Sequence, residues 1–99
     1  MVKYELDGKV VIITGGSRGI GLDISKALAR EGASVVIASV DEARGIAAME
    51  TIASQGGRAE FIATDVTQRD QVARLVEATL KRFGDIHVLV NNAGVHDGA

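Results

Sequence analysis

The sequence contains no cysteine, no proline and no tryptophan, and aromatic residues make up only 3% of the chain. Without cysteine it can form neither a disulfide bond nor a thiolate nucleophile, and it cannot hold a metal through sulfur. The absence of cysteine also fits a cytoplasmic location. Proline is about 5% of an average protein, but its absence here carries no functional implication.

Long hydrophobic runs and an excess of one charge are also missing. The apolar segments are far shorter than a membrane span, and residues 1–7 contain no apolar signal core, so we expect neither a membrane segment nor a signal peptide. The net charge is −2 with acids and bases interspersed, which favours neither nucleic acid nor a membrane surface as partner. Hydrophobic residues at 46% and charged residues at 24% are typical of one globular domain.

Short β-branched segments alternate with longer segments of helical periodicity. Strands are predicted at residues 9–14, 34–39, 59–64 and 86–91. Helices are predicted at residues 18–31 and 42–55, with a third that Thr67 caps and Gly84 ends. The inward faces predicted for the three helices are Ile20, Ile24, Ala27 and Leu28; Ile46, Met49, Ile52 and Ala53; and Val72, Leu75, Val76, Thr79, Leu80 and Phe83.

This alternation predicts an α/β fold, half of a doubly wound (Rossmann) fold. Its parallel sheet of four strands has the order 3-2-1-4, because crossover connections are right-handed and strand four lies on the other side of strand one. Helices one and two would cover one face of the sheet, and helix three the other. A ligand crevice is expected at the carboxyl ends of strands one and four.

The glycine-rich segment Thr14-Gly15-Gly16-Ser17-Arg18-Gly19-Ile20-Gly21 joins the first strand to the first helix. Glycine permits a sharp turn and a close approach of phosphate to the backbone, and the helix N-terminus offers free N–H groups. The spacing G-x-x-x-G-x-G differs from the familiar G-x-G-x-x-G. The context indicates a diphosphate pocket; a tight turn of purely structural importance is the alternative.

Two further motifs follow at the ends of strands three and four, Asp65-Val66 and Asn91-Asn92-Ala93-Gly94. With the glycine segment, in this order and spacing, the chain resembles the N-terminal part of the short-chain dehydrogenases/reductases over essentially its whole length. The segment Leu6-x-Gly8-Lys9-Val10 is similar to the usual start of that family. His87 is a departure, since the family more often has aspartate there.

The resemblance implies that residues 1–99 form a single truncated dinucleotide-binding domain that binds NAD or NADP. The glycines would shape the loop, the backbone near Ile20 would face the pyrophosphate, and Asp65-Val66 would bind the adenine. Asp65 has a local alternative as a turn or helix-start acid, and residues 91–94 as a strand-end turn. The cofactor-binding residues implied are Gly15, Ser17, Arg18, Gly19, Ile20, Gly21, Ser39, Asp65, Val66, Asn91, Ala93 and Gly94.

The sequence around strand two bears on the choice between NAD and NADP. In the family an acid at this strand end binds the ribose 2′-hydroxyl, and a basic residue nearby favours the 2′-phosphate. Ser39 stands where the acid would be, and Arg18 is similar to the basic residue of NADP-using members. Asp41 could substitute for the acid, but by register it caps helix two. We therefore expect a slight preference for NADP.

The family's catalytic serine, Tyr-x-x-x-Lys and second asparagine lie beyond the N-N-A-G motif. Tyr4 is the single tyrosine, and no lysine follows it four residues later. His87 is assigned to strand four and His96 to the tail. We expect no catalytic residue and no metal site, and therefore no oxidoreductase activity from this chain alone.

Strand four would form an apolar sheet edge, which predicts a homodimer through that edge or through a bare sheet face. Three functional hypotheses stay open: a dinucleotide-binding module, an oxidoreductase fragment that needs a complementing chain, and an engineered or truncated structural fragment without ligand activity. A P-loop is excluded because its motif is absent, and residues 91–94 argue against a methyltransferase.

Overall fold

The computed structural model describes residues 6–92. Strands and helices alternate along the chain, and the third helix is followed by Gly84 in the left-handed conformation (φ 84°). The elements are β1 (Val10–Thr14), α1 (Gly19–Arg30), β2 (Ser34–Ser39), α2 (Glu42–Ser54), β3 (Arg58–Ala63), α3 (Arg69–Phe83) and β4 (Val88–Asn91).

The four strands form one parallel sheet in the order β3-β2-β1-β4, which confirms the predicted topology. Ile12 of β1 lies opposite Val36 of β2 and Leu89 of β4. Every residue of β1 is buried, as the continuous β-branched run predicts for a central strand covered on both faces.

The helices divide between the two faces of the sheet as predicted. On one face, α1 and α2 pack their small and aliphatic residues, such as Ala29 and Ile52, against alternate side chains of β1 and β2. On the opposite face, Leu75 of α3 packs against Ile12 and Val36. The carboxyl ends of all four strands therefore meet at one edge, where the loop from β1 to α1 begins.

The inward faces of the first two helices differ from the prediction. Ile20 is 70% exposed, and Ala27 is also exposed, whereas Gly21, Ser25 and Ala29 are buried. In α2, Ile46 and Ala53 are exposed, and the buried residues are Gly45, Ala48 and Ile52. Small residues face the sheet in both helices because the backbone approaches it closely: a Cβ on Gly45 would collide with the Phe61 ring.

The predicted N-terminal cap of α3 is wrong. The helix begins at Arg69 with Gln68 as its cap residue, and no side chain bonds to its free N–H groups. The Thr67 hydroxyl instead donates to Asp65 Oδ1 at 2.6 Å. On the same helix Leu75 and Thr79 are buried as predicted, but Val76 and Leu80 are exposed, so the buried stripe is narrower than the apolar pattern.

Candidate functional site

The turn between β1 and α1 is built on glycines whose backbone and packing exclude other residues. Gly15 and Gly19 have φ values of 69° and 59°, in the left-handed region that favours glycine. A Cβ on Gly21 would collide with the Gly15 carbonyl oxygen and would lie 2.6 Å from Asn92 Nδ2. The three glycines of the sequence motif therefore allow one compact turn, with the start of α1 folded directly onto the end of β1.

The buried hydroxyl of Ser25 contacts carbonyl groups in this turn and at the start of α1. Ser25 Oγ donates to the Gly21 carbonyl at 2.8 Å and lies 3.4 Å from the Gly16 carbonyl. A Cβ on Gly16 would come within 2.8 Å of that same hydroxyl oxygen. The Gly16 carbonyl of the turn and the Gly21 carbonyl at the start of α1 thus lie on either side of one buried hydroxyl.

The start of α1 is open and carries no negative charge. No side chain caps the helix, and its first turn contains no acidic residue. Helix starts present free N–H groups and the positive end of the helix dipole. Arg18 precedes the helix and is exposed, and within residues 6–92 it forms no ion pair. The arrangement is suited chemically to an anionic group at the carboxyl end of the sheet.

Thr14 joins the ends of β1 and β4. Its hydroxyl donates to Asn91 Oδ1 at 3.1 Å and accepts from the Asn92 backbone N–H at 3.0 Å. Asn92 Nδ2 also donates to the Gly15 carbonyl at 3.1 Å. The sequence prediction included Asn91 but not Thr14 or Asn92, although both are part of the motifs that were quoted. The Asn91 side chain is engaged by Thr14, so it shapes the crevice through the protein's own contacts.

The end of β2 adjoins the glycine turn, as the prediction for Ser39 requires. Ser39 Oγ donates to the buried Ser17 Oγ at 3.2 Å. Asp41 does not replace the missing acid, because its carboxylate accepts from the Arg44 N–H at 3.0 Å and caps α2, as its register predicts. The end of β2 therefore presents two bonded hydroxyl groups beside the glycine turn.

Asp65 lies in a turn of its own at the end of β3. Its Oδ1 accepts from the backbone N–H and the hydroxyl of Thr67, and these hydrogen bonds lower the pKa of the Asp65 carboxyl below its ordinary value. The Asp65 N–H donates to Gln71 Oε1 at 2.8 Å. The neighbouring Val66 is exposed. The local turn predicted as the alternative is present, and the carboxylate faces solvent at the same edge of the sheet as the glycine turn.

The remaining candidate residues fall elsewhere. His87 precedes β4, at the end of the sheet opposite the glycine turn. Tyr4, Ala93, Gly94 and His96 lie outside the described residues. Within residues 6–92 no group of histidine and acidic side chains could hold a metal ion. In that same range no helix is long and apolar enough to cross a membrane.

Known proteins are similar to this chain in sequence. An uncharacterised oxidoreductase of Methylorubrum extorquens is 46% identical over 96 residues, which are 96% of this chain and 39% of that protein. L-fucose dehydrogenase of Bos taurus is 47% identical over 89 residues, 90% of this chain and 32% of the enzyme. The chain thus spans about two fifths or less of the length of these relatives.

Solved structures of similar proteins have the same fold as this chain. A metagenomic short-chain oxidoreductase in complex with NADP has a TM-score of 0.85 and 40% identity, over 90% of this chain and 40% of that one. A short-chain dehydrogenase/reductase from Burkholderia phymatum in complex with NAD has a TM-score of 0.84 and 36% identity, over 87% and 31%. Residues 9–99 match the family of short chain dehydrogenases. The chain belongs to the short-chain dehydrogenase/reductase family.

Proposed function

We propose that this chain is a truncated dinucleotide-binding half-domain over residues 1–99 and binds NAD(P) at the turn between β1 and α1. The observation that carries this is the contact of Gly21 with Gly15 and Asn92, which leaves no room for a Cβ. That contact places the uncapped start of α1 at the crevice between β1 and β4, where a pyrophosphate can approach the backbone.

The adenosine-diphosphate part of the cofactor would contact several elements. Gly15, Gly19 and Gly21 shape the pyrophosphate site, with the backbone of Ile20 facing the phosphates. Asp65 accepts from the adenine amino group, and the Val66 N–H binds a ring nitrogen. Asn91 at the end of β4 would line the adenosine-ribose side, together with the backbone of Ala93 and Gly94, which follow in the sequence.

We infer a slight preference for NADP over NAD. Ser39 presents a hydroxyl group at the end of β2, bonded to that of Ser17 in the glycine turn, and the exposed Arg18 adds a positive charge to the same turn. A 2′-phosphate gains from a guanidinium and loses from a carboxylate, and the nearest candidate acid, Asp41, is engaged in capping α2. The complexes of similar proteins with NADP and with NAD support a nicotinamide dinucleotide in general.

Parallel calorimetric titrations with NADP and NAD test this binding function, on a sample whose oligomeric state is known. Gly19→Ala places a methyl group where phosphate must approach, so we expect affinity to fall at least about tenfold. Gly8→Ala is the matched control, because Gly8 also has a positive φ and open space around its Cβ position, but lies before β1. Undetectable binding at millimolar dinucleotide, or equal losses in the two variants, would refute the proposal.

Hydride transfer is not assigned to the isolated chain. The family's proton donor is a tyrosine assisted by lysine, and the single tyrosine here, Tyr4, has Gly8 at the fourth position after it. We propose that oxidoreductase activity needs residues from a longer or complementing chain. Reductase turnover by the purified 99-residue chain would contradict this.

A homodimer is the proposed assembly. Leu89 on β4 is 62% exposed, and it shares the α3 side of the sheet with the exposed Val76 and Leu80. Burying these side chains against a second copy would remove apolar surface from water. Light scattering after size-exclusion chromatography should give twice the 10.3 kDa chain mass, and Leu89→Lys should give a monomer. A monomeric parent protein at tens of micromolar would rule the dimer out.

A further inference from the structure

His87 binds both backbone groups of Val10 at the amino end of the sheet. Its backbone N–H donates to the Val10 carbonyl at 2.9 Å, and its imidazole Nδ1 accepts from the Val10 N–H, also at 2.9 Å. The side chain thus replaces the backbone acceptor that a longer β4 would supply. These two hydrogen bonds extend the pairing of β1 with β4 by one residue, since the first residues paired within the strands themselves are Val11 and Val88.

This geometry fixes the protonation state of the imidazole. A nitrogen that accepts from an N–H must carry a lone pair, so Nδ1 is unprotonated and the proton of neutral His87 resides on Nε2. Asp85 Oδ2 lies 3.3 Å from Nε2. Adding a second proton, at Nδ1, would set two N–H groups against each other and break the bond to Val10.

Several charged groups lie on the segments around the imidazole. The Asp85 side chain is 65% exposed, and an ion pair so open to water contributes little. The other charged groups on adjoining segments are Asp7 and Lys9 before β1, and Lys81 and Arg82 in the last turn of α3. Arg82 is paired with Glu60 at 2.9 Å. Protonation of an imidazole is the common charge change of proteins near neutral pH, and at Nδ1 it would remove the acceptor of the Val10 N–H.

His87 precedes β4, and the other end of β4 lies at the candidate site. β4 contains four residues, and its far end holds Asn91, followed by Asn92. Those two asparagines bond to Thr14 and Gly15, which begin the glycine turn. β4 is also an edge strand, paired on one side to β1 within the described residues. Loosening its amino end removes one of the few attachments that hold it in register.

We propose that His87 is a proton-sensitive latch, a positioning residue whose neutral imidazole fixes β4 on β1 and releases Val10 when it is protonated. The latch is a property of the folded chain and does not depend on dinucleotide binding. Its predicted effect is local: the pairing of Val10 opens at acid pH, while the centre of β1, bonded to β2, stays closed.

Amide hydrogen exchange of the full chain tests the latch residue by residue. After correction for intrinsic exchange, protection of the Val10 amide should fall at least about tenfold between roughly pH 7.5 and 5.5. Protection of the Ile13 amide should fall by less than about twofold, because the odd-numbered residues of β1 bond to β2. His87→Asn is the matched variant, because its Oδ1 can accept from Val10 and does not titrate. It should keep Val10 protected across this range, and Asp85→Asn should leave the pH response in place.

Long-range proton–nitrogen spectra of the imidazole give a second, independent measurement. At neutral pH they should show a hydrogen on Nε2 and none on Nδ1. An Nδ1–H tautomer would overturn the proposal. So would a Val10 protection that does not change with pH in the parent chain, or one that changes equally in His87→Asn.

Discussion

The Thr14 hydroxyl and the Asn92 backbone N–H, 78 residues apart in sequence, are joined by a hydrogen bond of 3.0 Å. The same hydroxyl donates to Asn91 Oδ1. One side chain of the first strand therefore fixes the end of the last described strand, beside the glycine turn. This relationship makes the crevice a product of two distant motifs, each of which is an ordinary turn sequence when taken separately.

Replacing Thr14 by valine keeps its shape and removes the hydroxyl. Thr14 is buried and Asn92 is half-buried, so the Asn92 N–H would lose a partner where water has little access, and we expect the free energy of unfolding to fall by about 1–3 kcal/mol. Urea denaturation followed by circular dichroism measures this. The control is Thr51→Val, since that hydroxyl bonds within the exposed surface of α2 and its loss should cost under about 0.5 kcal/mol. Equal effects of the two substitutions would argue against the network.

A methyl group on Gly45 should destabilise the fold, although alanine favours helices. The Phe61 ring lies directly against Gly45, so the added Cβ must displace it, at a cost of about 1–3 kcal/mol. The higher helix propensity of alanine relative to glycine offsets up to about 1 kcal/mol of that cost. Thermal denaturation of Gly45→Ala in the parent and in a Phe61→Leu background measures the coupling. The penalty should shrink in the second background, and an unchanged penalty would show that the ring is not its cause.

Removing the Thr67 hydroxyl should raise the pKa of the Asp65 carboxyl toward its ordinary value. Thr67→Val deletes the side-chain hydrogen bond, the largest cause of the lowered pKa, and retains the bond from the Thr67 backbone N–H. A carboxyl titration by NMR measures the shift. Thr64→Val is the control, because that hydroxyl bonds the Ile62 carbonyl instead. A pKa of Asp65 that stays the same in Thr67→Val would contradict the assignment.

The sign of the corresponding pH effect on stability follows from the same shift. Because folding lowers the pKa of Asp65, the unfolded chain binds a proton there more readily than the folded chain. The stabilisation from this carboxylate is therefore present above the unfolded pKa and is lost as the pH falls through the folded one. Thr67→Val should weaken that dependence on acid.

An aspartate at position 39 should change the cofactor preference. Ser39→Asp adds a carboxylate at the end of β2, next to Ser17, where it repels a 2′-phosphate and can accept from a ribose hydroxyl. We expect the ratio of NADP to NAD affinity to fall at least about tenfold in parallel titrations. Ala73→Asp, which adds the same charge on the exposed surface of α3, should leave the ratio unchanged. A preference that moves toward NADP in Ser39→Asp would contradict the proposed orientation.

The sequence alone determined the order of the elements, the parallel sheet and the position of the glycine turn. These follow from local periodicity, from the placement of glycine and from the handedness of crossovers, all of which act over a few residues or one connection. The boundaries of the strands and helices differ from the predicted ones by up to two residues. For example, β4 begins at Val88, whereas the prediction began it at Ile86.

Tertiary contacts decided which residues of each helix face the sheet and how the site is held together. Hydrophobicity favoured Ile20 and Ile46 for the inward faces, but the helices lie so close to the rest of the fold that Gly21 and Gly45 occupy them. The partners of Thr14 and of His87 lie 77 residues away, and no local pattern encodes a contact at that distance. Such hydrogen bonds exist only once the crossovers have brought β4 beside β1.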